Sequence, residues 1–436
     1  MAILQQVLFV VTLAIAAFLL RRRILRIKRN IQLGKSNAVE GDVSTRWRNV
    51  ILVAFGQQKM FKRFVPAFFH FWIYAGFLII NLEVLEFIID GLAGTHRIFA
   101  PILGSVYPLL INFFEFLAVA VLLACVVFLI RRNGLKIKRF WSSEMSGWPR
   151  LDANLILVIE ITLMMAILTM NATDQLLQGR IDHYVQTGTL FFSSLLMPLF
   201  SSLSTEALVL IERLTWWFHI LGILGFAVYV TYSKHLHIFL AFPHTYYSDI
   251  RPKGHIENMP VVTREVKSML GLATEPPSQS EPGRFGAKDV NDLSRVQLMA
   301  AYACTECGRC TSECPANLTG KKLSPRKIMM DTRDRMEEIG KQIAAGQPGL
   351  SDGKSLLGDY VSKEEINACT SCNACVEACP VLINPLSIII EMRRYVAMEE
   401  SGTPAQWNAM FQNIETSFAP WKFPPSDRFK WADEIR

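Results

Sequence analysis

The sequence predicts an all-α chain, a five-helix transmembrane bundle followed by a mainly helical soluble domain. Three observations carry that expectation. Of the 436 residues, 51% are hydrophobic and only 19% are charged, against roughly 25% charged in an average soluble domain. The long apolar runs all lie within residues 1–245. Residues 250–436 hold eight of the nine cysteines and most of the acidic side chains. This division excludes collagen-like, disordered and secreted disulfide-rich classes. It sets the expected domains at 1–245 (membrane), 246–290 (linker), 291–400 (cysteine-rich) and 401–436 (C-terminal tail).

Five spans are expected at roughly 3–20, 65–89, 107–130, 151–170 and 207–232, each near the ~20 residues that a bilayer core requires. The first is not a cleavable leader. MAILQQ lacks positive charge, and the basic cluster RRRILRIKR follows the apolar run. Loop 21–63 carries 12 Lys/Arg and loop 131–150 carries 6, whereas loops 90–106 and 171–206 carry only Arg97 and Arg180. By the positive-inside rule the N-terminus is expected outside and the cysteine-rich domain in the cytoplasm; the expected location is the bacterial inner membrane. The net charge of +7 is therefore topology signal, and no nucleic-acid partner is expected. The segment TLFFSSLLMPLFSSL (189–203) is short and Ser-rich, so it reads as an interfacial or re-entrant outer segment.

Histidines inside membrane helices usually face the bundle and serve a function. His70 lies in the second span and His219 in the fifth; His235 and His237 follow at its inner end. His219 and His237 are 18 residues apart, which is five turns and ~27 Å of rise, and are expected to share one helix face. His235 falls about 160° away from that face. Two imidazoles stacked along one helix suit axial ligation of haem iron, and His70, His219 and His237 are the candidates. The alternative is a hydrogen bond to a neighbouring helix. His96, His183, His244 and His255 are expected to be solvated. Glu83, Glu86, Glu115 and Glu160 also fall inside spans. They are read either as a quinone pocket or proton path, or as interhelical pairing, with Arg97 a possible partner. Cys125 is read as a small buried apolar residue.

Five helices, an outside N-terminus and the His219/His237 spacing resemble the nitrate reductase gamma-subunit type of cytochrome b. The resemblance implies haem b. That family takes two ligands from its second helix, and here only His70 is present, so one haem and two haems both stay open.

Cys304, Cys307, Cys310 and Cys314 follow the pattern C-x2-C-x2-C-x3-C-P, and Cys369, Cys372, Cys375 and Cys379 repeat it. This is the bacterial ferredoxin run, in which the fourth cysteine reaches the other cluster. Cys304, Cys307, Cys310 and Cys379 are expected to hold one [4Fe–4S] cluster, and Cys369, Cys372, Cys375 and Cys314 the second. A zinc site has no use for eight ligands in duplicate, and disulfides do not suit the cytoplasmic side. Between the motifs, a helix capped by Ser324 and ending at Gly346 is expected, with others at 362–369 and 384–400. Segment 253–290 is read as a polar linker with a short interfacial or docking helix at 259–272.

The strings YACTECGRCTSECPANLTGKKLSPRKI and ACTSCNACVEACPVLINPLSIIIEMRRY resemble the helical 2[4Fe–4S] ferredoxin domains of heterodisulfide reductase C-type and fumarate reductase-type iron–sulfur subunits. The whole chain resembles the fused iron–sulfur/cytochrome b proteins of the heterodisulfide reductase-like and electron-transfer-flavoprotein:quinone oxidoreductase type. That implies a membrane-bound respiratory electron-transfer subunit linking cytoplasmic clusters, haem b and a quinone, with menaquinone the expected one. The alternative is a haem-free membrane-anchored ferredoxin acting in metalloenzyme assembly. No nucleotide-binding Gly motif, flavin fingerprint or nucleophile elbow is visible. The stretch NIETSFAPWKFPPSDRFKWADEI (413–435) resembles the connector that precedes CCG domains in the fused proteins. A separate CCG-domain or flavoprotein subunit is the expected partner, and Trp421, Phe423, Phe429 and Trp431 form its expected docking strip. Packing of these aromatics on the chain's own ferredoxin domain is the alternative.

Overall fold

The computed structural model describes residues 2–36, 41–182, 184–272, 284–347, 352–422 and 424–435. His183, Phe423 and the Pro/Ser-rich stretch 273–283 of the expected linker lie outside them. Among the described residues there are helices and two isolated β-bridges but no strand.

Five helices are long and apolar enough to cross a membrane. They are α1 (Ala2–Ile31), α2 (Phe64–Ala93), α3 (Val106–Leu129), α4 (Trp148–Gln178) and α5 (Thr205–Val230). Three of the five, α1, α2 and α4, run several residues past the expected spans, because polar residues at helix ends do not break a helix until a cap or turn residue appears. Gly94, at φ +72°, ends α2, and Ser204 caps α5 by accepting from the Ala207 amide at 3.3 Å. In the bundle α2 packs on α3, α3 on α4, and α4 on α5, while α1 lies against α2 and α5. Segment 189–203 forms only two short turns (Ser193–Leu195 and Met197–Phe200).

Helix α1 continues through its basic cluster out of the bundle. Its buried residues, Phe9, Ala16, Arg23, Ile27 and Asn30, recur at helical spacing and make one stripe. At one end Phe9 packs on Trp216, with ring centroids 5.6 Å apart. At the other, Ile27 joins the core of the cysteine-rich domain with Leu298, Met336 and Ile388. One helix therefore serves two cores.

After α5 the chain forms α6 (His237–Tyr247) and then the solvent-facing α7 (Pro260–Met269). Helix α7 leaves Val266 and Met269 exposed, an amphipathic face of the interfacial kind. The cysteine-rich domain contains α8 (Arg295–Ala303), α9 (Pro325–Ala344) and α10 (Pro385–Met398), which share one core. Ser324 caps α9 and Pro325 occupies its first turn, as expected. Helix α11 (Ala405–Ser417) and the tail after it bury none of their described residues.

Arg23 joins the two halves. It binds Glu337 of α9 through two nitrogens at 2.6 and 2.9 Å and the Thr231 carbonyl at 3.1 Å. Close by, the Asn30 side chain of α1 sits on Gly340 of α9, where a Cβ would come within 2.3 Å of Asn30 Oδ1. Arg23→Ala strands a half-buried Glu337, which costs about 3 kcal/mol. The expected outcome is a lower melting temperature and faster proteolytic release of the cysteine-rich domain. Unchanged values for both would contradict this interface.

Candidate functional site

The two cysteine loops have the same backbone. Glu306 and Ser371, at matched places in the two motifs, have φ of 55° and 54°. Gly308 and Asn373, the next matched pair, have φ of 70° and 61°. Gly and Asn are the residues that adopt this left-handed region at least cost. The short helices that follow, Arg309–Ser312 and Ala374–Ala378, lie side by side. Amide groups turn toward sulfur in each motif: the Glu306 amide toward Cys304 in the first, and in the second the Ser371 amide 3.4 Å from Cys369 Sγ and the Ile383 amide 3.3 Å from Cys379 Sγ.

This pairing groups the thiols across the motifs. Cys304, Cys307, Cys310 and Cys379 line one cleft together with Pro380 and Met329. Cys375 interacts with Cys369, Cys372 and Cys314. Cys372 is exposed, while Cys314 and Cys375 are buried. Burial and neighbouring thiols push Cys304 and Cys375 up to about 12. Thiols held so high become thiolates only beside strong positive charge such as iron. Among the described residues no three His, Cys, Asp or Glu side chains close on a single-ion position. Four thiols spread around a cleft suit the four corners of a cubane.

The first cysteine loop is the one pressed against the membrane helices. Glu306 pairs with Lys234 and, at 2.8 Å, with Arg333. Arg309 donates to the carbonyls of Lys59 and Met60 at 3.2 and 3.3 Å. Fully buried Arg326 donates to the Arg139 carbonyl at 2.6 Å and pairs with Glu144 at 2.6 Å, both in the loop between α3 and α4. None of these was marked by the sequence reading; only their places beside the cysteines could have pointed to them.

Next to this loop lies a second cavity, open to one side. Its lining includes His235, His237, Phe128, Arg132, Arg139 and Thr305. Thr305 also lines the cysteine cleft, so the two cavities share a wall.

The histidine geometry differs from the expectation. Helix α5 ends at Val230, and the chain turns through Thr231–Ser233 before α6 begins at His237. The cause is local. Ser233 accepts from the His235 amide at 3.1 Å, and Asp152 accepts from the Lys234 amide at 3.2 Å, so side chains compete with the helical bonds. His219 and His237 therefore do not share a five-turn face. The same turn brings His235, expected to point away, against His237, with ring centroids 5.2 Å apart. His70 also acts on His235, which burial and these two histidines push well below the usual imidazole range. His219 stands apart in the packed bundle.

His70, His219 and His237 nonetheless share one feature. Each imidazole has Nδ1 bonded to an oxygen: Gln57 Oε1 at 3.0 Å, the Leu163 carbonyl at 3.0 Å and the Lys234 carbonyl at 3.2 Å. With Nδ1–H donated, Nε2 carries the lone pair, the arrangement of a metal-ligating histidine. The Nε2 of His219 is buried without a partner. The donor set thus fits haem iron. The other histidines divide. His255 is exposed as expected. His244 is buried against Leu382, and His96 pairs with Asp174 at 3.1 Å, so neither is freely solvated.

The membrane carboxylates lie toward the other end of the bundle. Glu86 accepts from the Phe99 amide at 2.9 Å and the Tyr107 hydroxyl at 2.8 Å. Glu115 accepts from Asn171 at 3.1 Å and from Ser193. Both have the geometry of interhelical pairing. Arg97 pairs with Asp174 at 2.9 Å instead of with Glu83 or Glu86. Glu83, 2% exposed, has one oxygen without a partner. Glu160 is half-buried and Cys125 fully buried.

Residues 303–383 match the family model described as a 4Fe-4S dicluster domain. The relatives are iron–sulfur oxidoreductases. "Probable iron-sulfur-binding oxidoreductase FadF" of Bacillus subtilis is 28% identical over 99% of this chain and 61% of its own length. "EtfAB:quinone oxidoreductase" of Syntrophomonas wolfei is 29% identical over 56% of this chain and 34% of its own. "Probable membrane-anchored ferredoxin" of Chromohalobacter salexigens is 32% identical over 35% of this chain and 24% of its own. Shorter matches reach heterodisulfide reductase subunits. The chain thus spans about three fifths of the FadF relative and about a third of the quinone oxidoreductase. No solved structure matches. Together the matches indicate an iron–sulfur electron-transfer oxidoreductase, and the five apolar helices suggest a membrane protein.

Cys314→Ser is expected to change the EPR signal of the cluster shared with Cys369, Cys372 and Cys375, and to leave the other signal in place. A change confined to the cluster of the first motif would contradict crossed ligation.

Proposed function

We propose that the chain is a membrane-bound respiratory electron-transfer subunit. It passes electrons between two [4Fe–4S] clusters on the cytoplasmic side, haem b and a membrane quinone, menaquinone. The observation that carries this reading is the wall shared at Thr305 by the cysteine cleft and the histidine cavity. Clusters and haem supply one-electron chemistry when bound. The protein holds and insulates them: residues 1–245 form the cytochrome b-like part and 291–400 the ferredoxin part. Cys304, Cys307, Cys310 and Cys379 hold the cluster nearer the membrane. Cys369, Cys372, Cys375 and Cys314 hold the outer one, where exposed Cys372 faces an incoming donor.

In this reading His70 and His237 hold a haem beside the first cluster, and His219 is a ligand deeper in the bundle. Arg132 and Arg139 at the cavity offer positive charge to haem carboxylates. Glu83, with its unpartnered oxygen, is the foremost candidate for the quinone or proton side, with Glu86, Glu115 and Glu160 around it. Alanine at His70 or His237 is expected to remove the same haem and leave both clusters intact. His219→Ala is expected to lower haem content on its own. Unchanged haem stoichiometry in all three variants would contradict the assignment.

A second reading, a haem-free membrane-anchored ferredoxin in metalloenzyme assembly, draws on the relative named as a membrane-anchored ferredoxin. It leaves the three matched Nδ1 bonds without a purpose.

A cytoplasmic redox subunit, with CCG domains or a flavin, is the proposed partner, docked on residues 401–436. Trp421 and Trp431 are 65% and 62% exposed and Phe429 70%, so they do not pack on the chain's own ferredoxin domain. Exposed aromatics of this kind are enriched in interface hot spots. Deleting residues after 405 is expected to abolish co-purification of that partner from native membranes in mild detergent. Retention of the partner by the truncated chain would contradict the docking role.

A further inference from the structure

We infer that Gln57 is a positioning residue for His70, setting the donor strength of that imidazole and with it the reduction potential of the haem it holds. This rests on the haem reading above. Of the three imidazoles with bonded Nδ1 atoms, only His70 is bonded to a side chain; the other two bond backbone carbonyls. Gln57 is 7% exposed and its Oε1 lies 3.0 Å from His70 Nδ1.

The backbone holds this residue in a costly state. Gln57 has φ of 50°, a left-handed conformation unfavourable for a residue with a side chain. Such strain persists only where the surroundings over-determine it. The surroundings here are a hydrogen-bonded loop. The Gly56 amide bonds the Ile51 carbonyl at 2.7 Å, the Gln58 amide bonds Leu52 at 3.0 Å, and the Met60 amide bonds Gln57 at 2.8 Å. The next turn of the same loop is clamped by Arg309, between Cys307 and Cys310. Residues 56–63 thus touch the first cysteine loop on one side and His70 on the other.

An acceptor on Nδ1–H gives the ring imidazolate character and makes Nε2 a stronger donor. A stronger donor favours the ferric state and lowers the potential. Removing the acceptor raises it, and a carboxylate in its place lowers it further. A residue that merely packs would not move the potential in opposite directions for two substitutions.

The test uses the full chain purified from membranes, with Gln57→Leu and Gln57→Glu beside the parent. Haem per protein, cluster EPR and spectroelectrochemical midpoint potentials are measured together. The expected result is retained clusters, a haem potential more positive in Gln57→Leu and more negative in Gln57→Glu. Loss of haem from Gln57→Leu with retention in Gln57→Glu also supports the role. Potentials that stay put, or move the same way in both variants, overturn it. So does loss of haem from both variants with clusters intact, which makes Gln57 a packing residue. A parent protein without haem overturns the haem reading itself, and is distinguished from these outcomes at the first measurement.

Discussion

The ion pairs of Glu306 hold the molecule's two halves in working register. This carboxylate sits between Cys304 and Cys307, 3% exposed, with Lys234 on its membrane side and Arg333 of α9 on the other. Its two cations hold it charged, below the usual carboxylate range, against the penalty of burial. A buried carboxylate without such partners would be strongly unfavourable. Lys234 immediately precedes His235 and lies three residues before His237, so one interaction fixes the first cysteine loop against the histidine turn. Thr305, the neighbour of Glu306, then becomes the wall common to both cavities.

The charge pattern follows from the same contact. Thiolate-bound clusters bring negative charge to the end of the bundle. The loops meeting it supply Lys59 and Arg139, and the soluble domain itself supplies Arg309 and Arg326, near the first group of thiols. Lys59 and Arg139 belong to the two most basic loops of the chain. The basic cluster of α1 has the same double use, since Arg23 and Arg29 bind α9. The basic residues of these segments thus dock the soluble domain, and Ile27 of α1 packs into its core beside them.

The architecture was legible because its signals are local and repeated. Apolar runs of bilayer length, two identical cysteine patterns, and Ser324–Pro325 ahead of an amphipathic run each act within a few residues. What escaped was tertiary. The break after Val230 depends on Asp152 of α4 reaching the Lys234 amide, which no periodicity along α5 reveals. Extending a helical register through Thr231–Ser233 put His219 and His237 on one face and turned His235 away; the fold does the reverse. Arg97 found Asp174 instead of the nearer glutamates because helix α4 brings Asn171 and Asp174 to it together. Gln57 carries no motif, and only the structure connects it to His70.

The central claim is that clusters and haem are resident in this one chain, on either side of the Thr305 wall. The most direct measurement is a reduced-minus-oxidised absorption spectrum of the purified chain, with cluster EPR on the same sample. The account predicts the sharp α-band of b-type haem together with two interacting cubane signals. Both cubane signals with no haem band would contradict it.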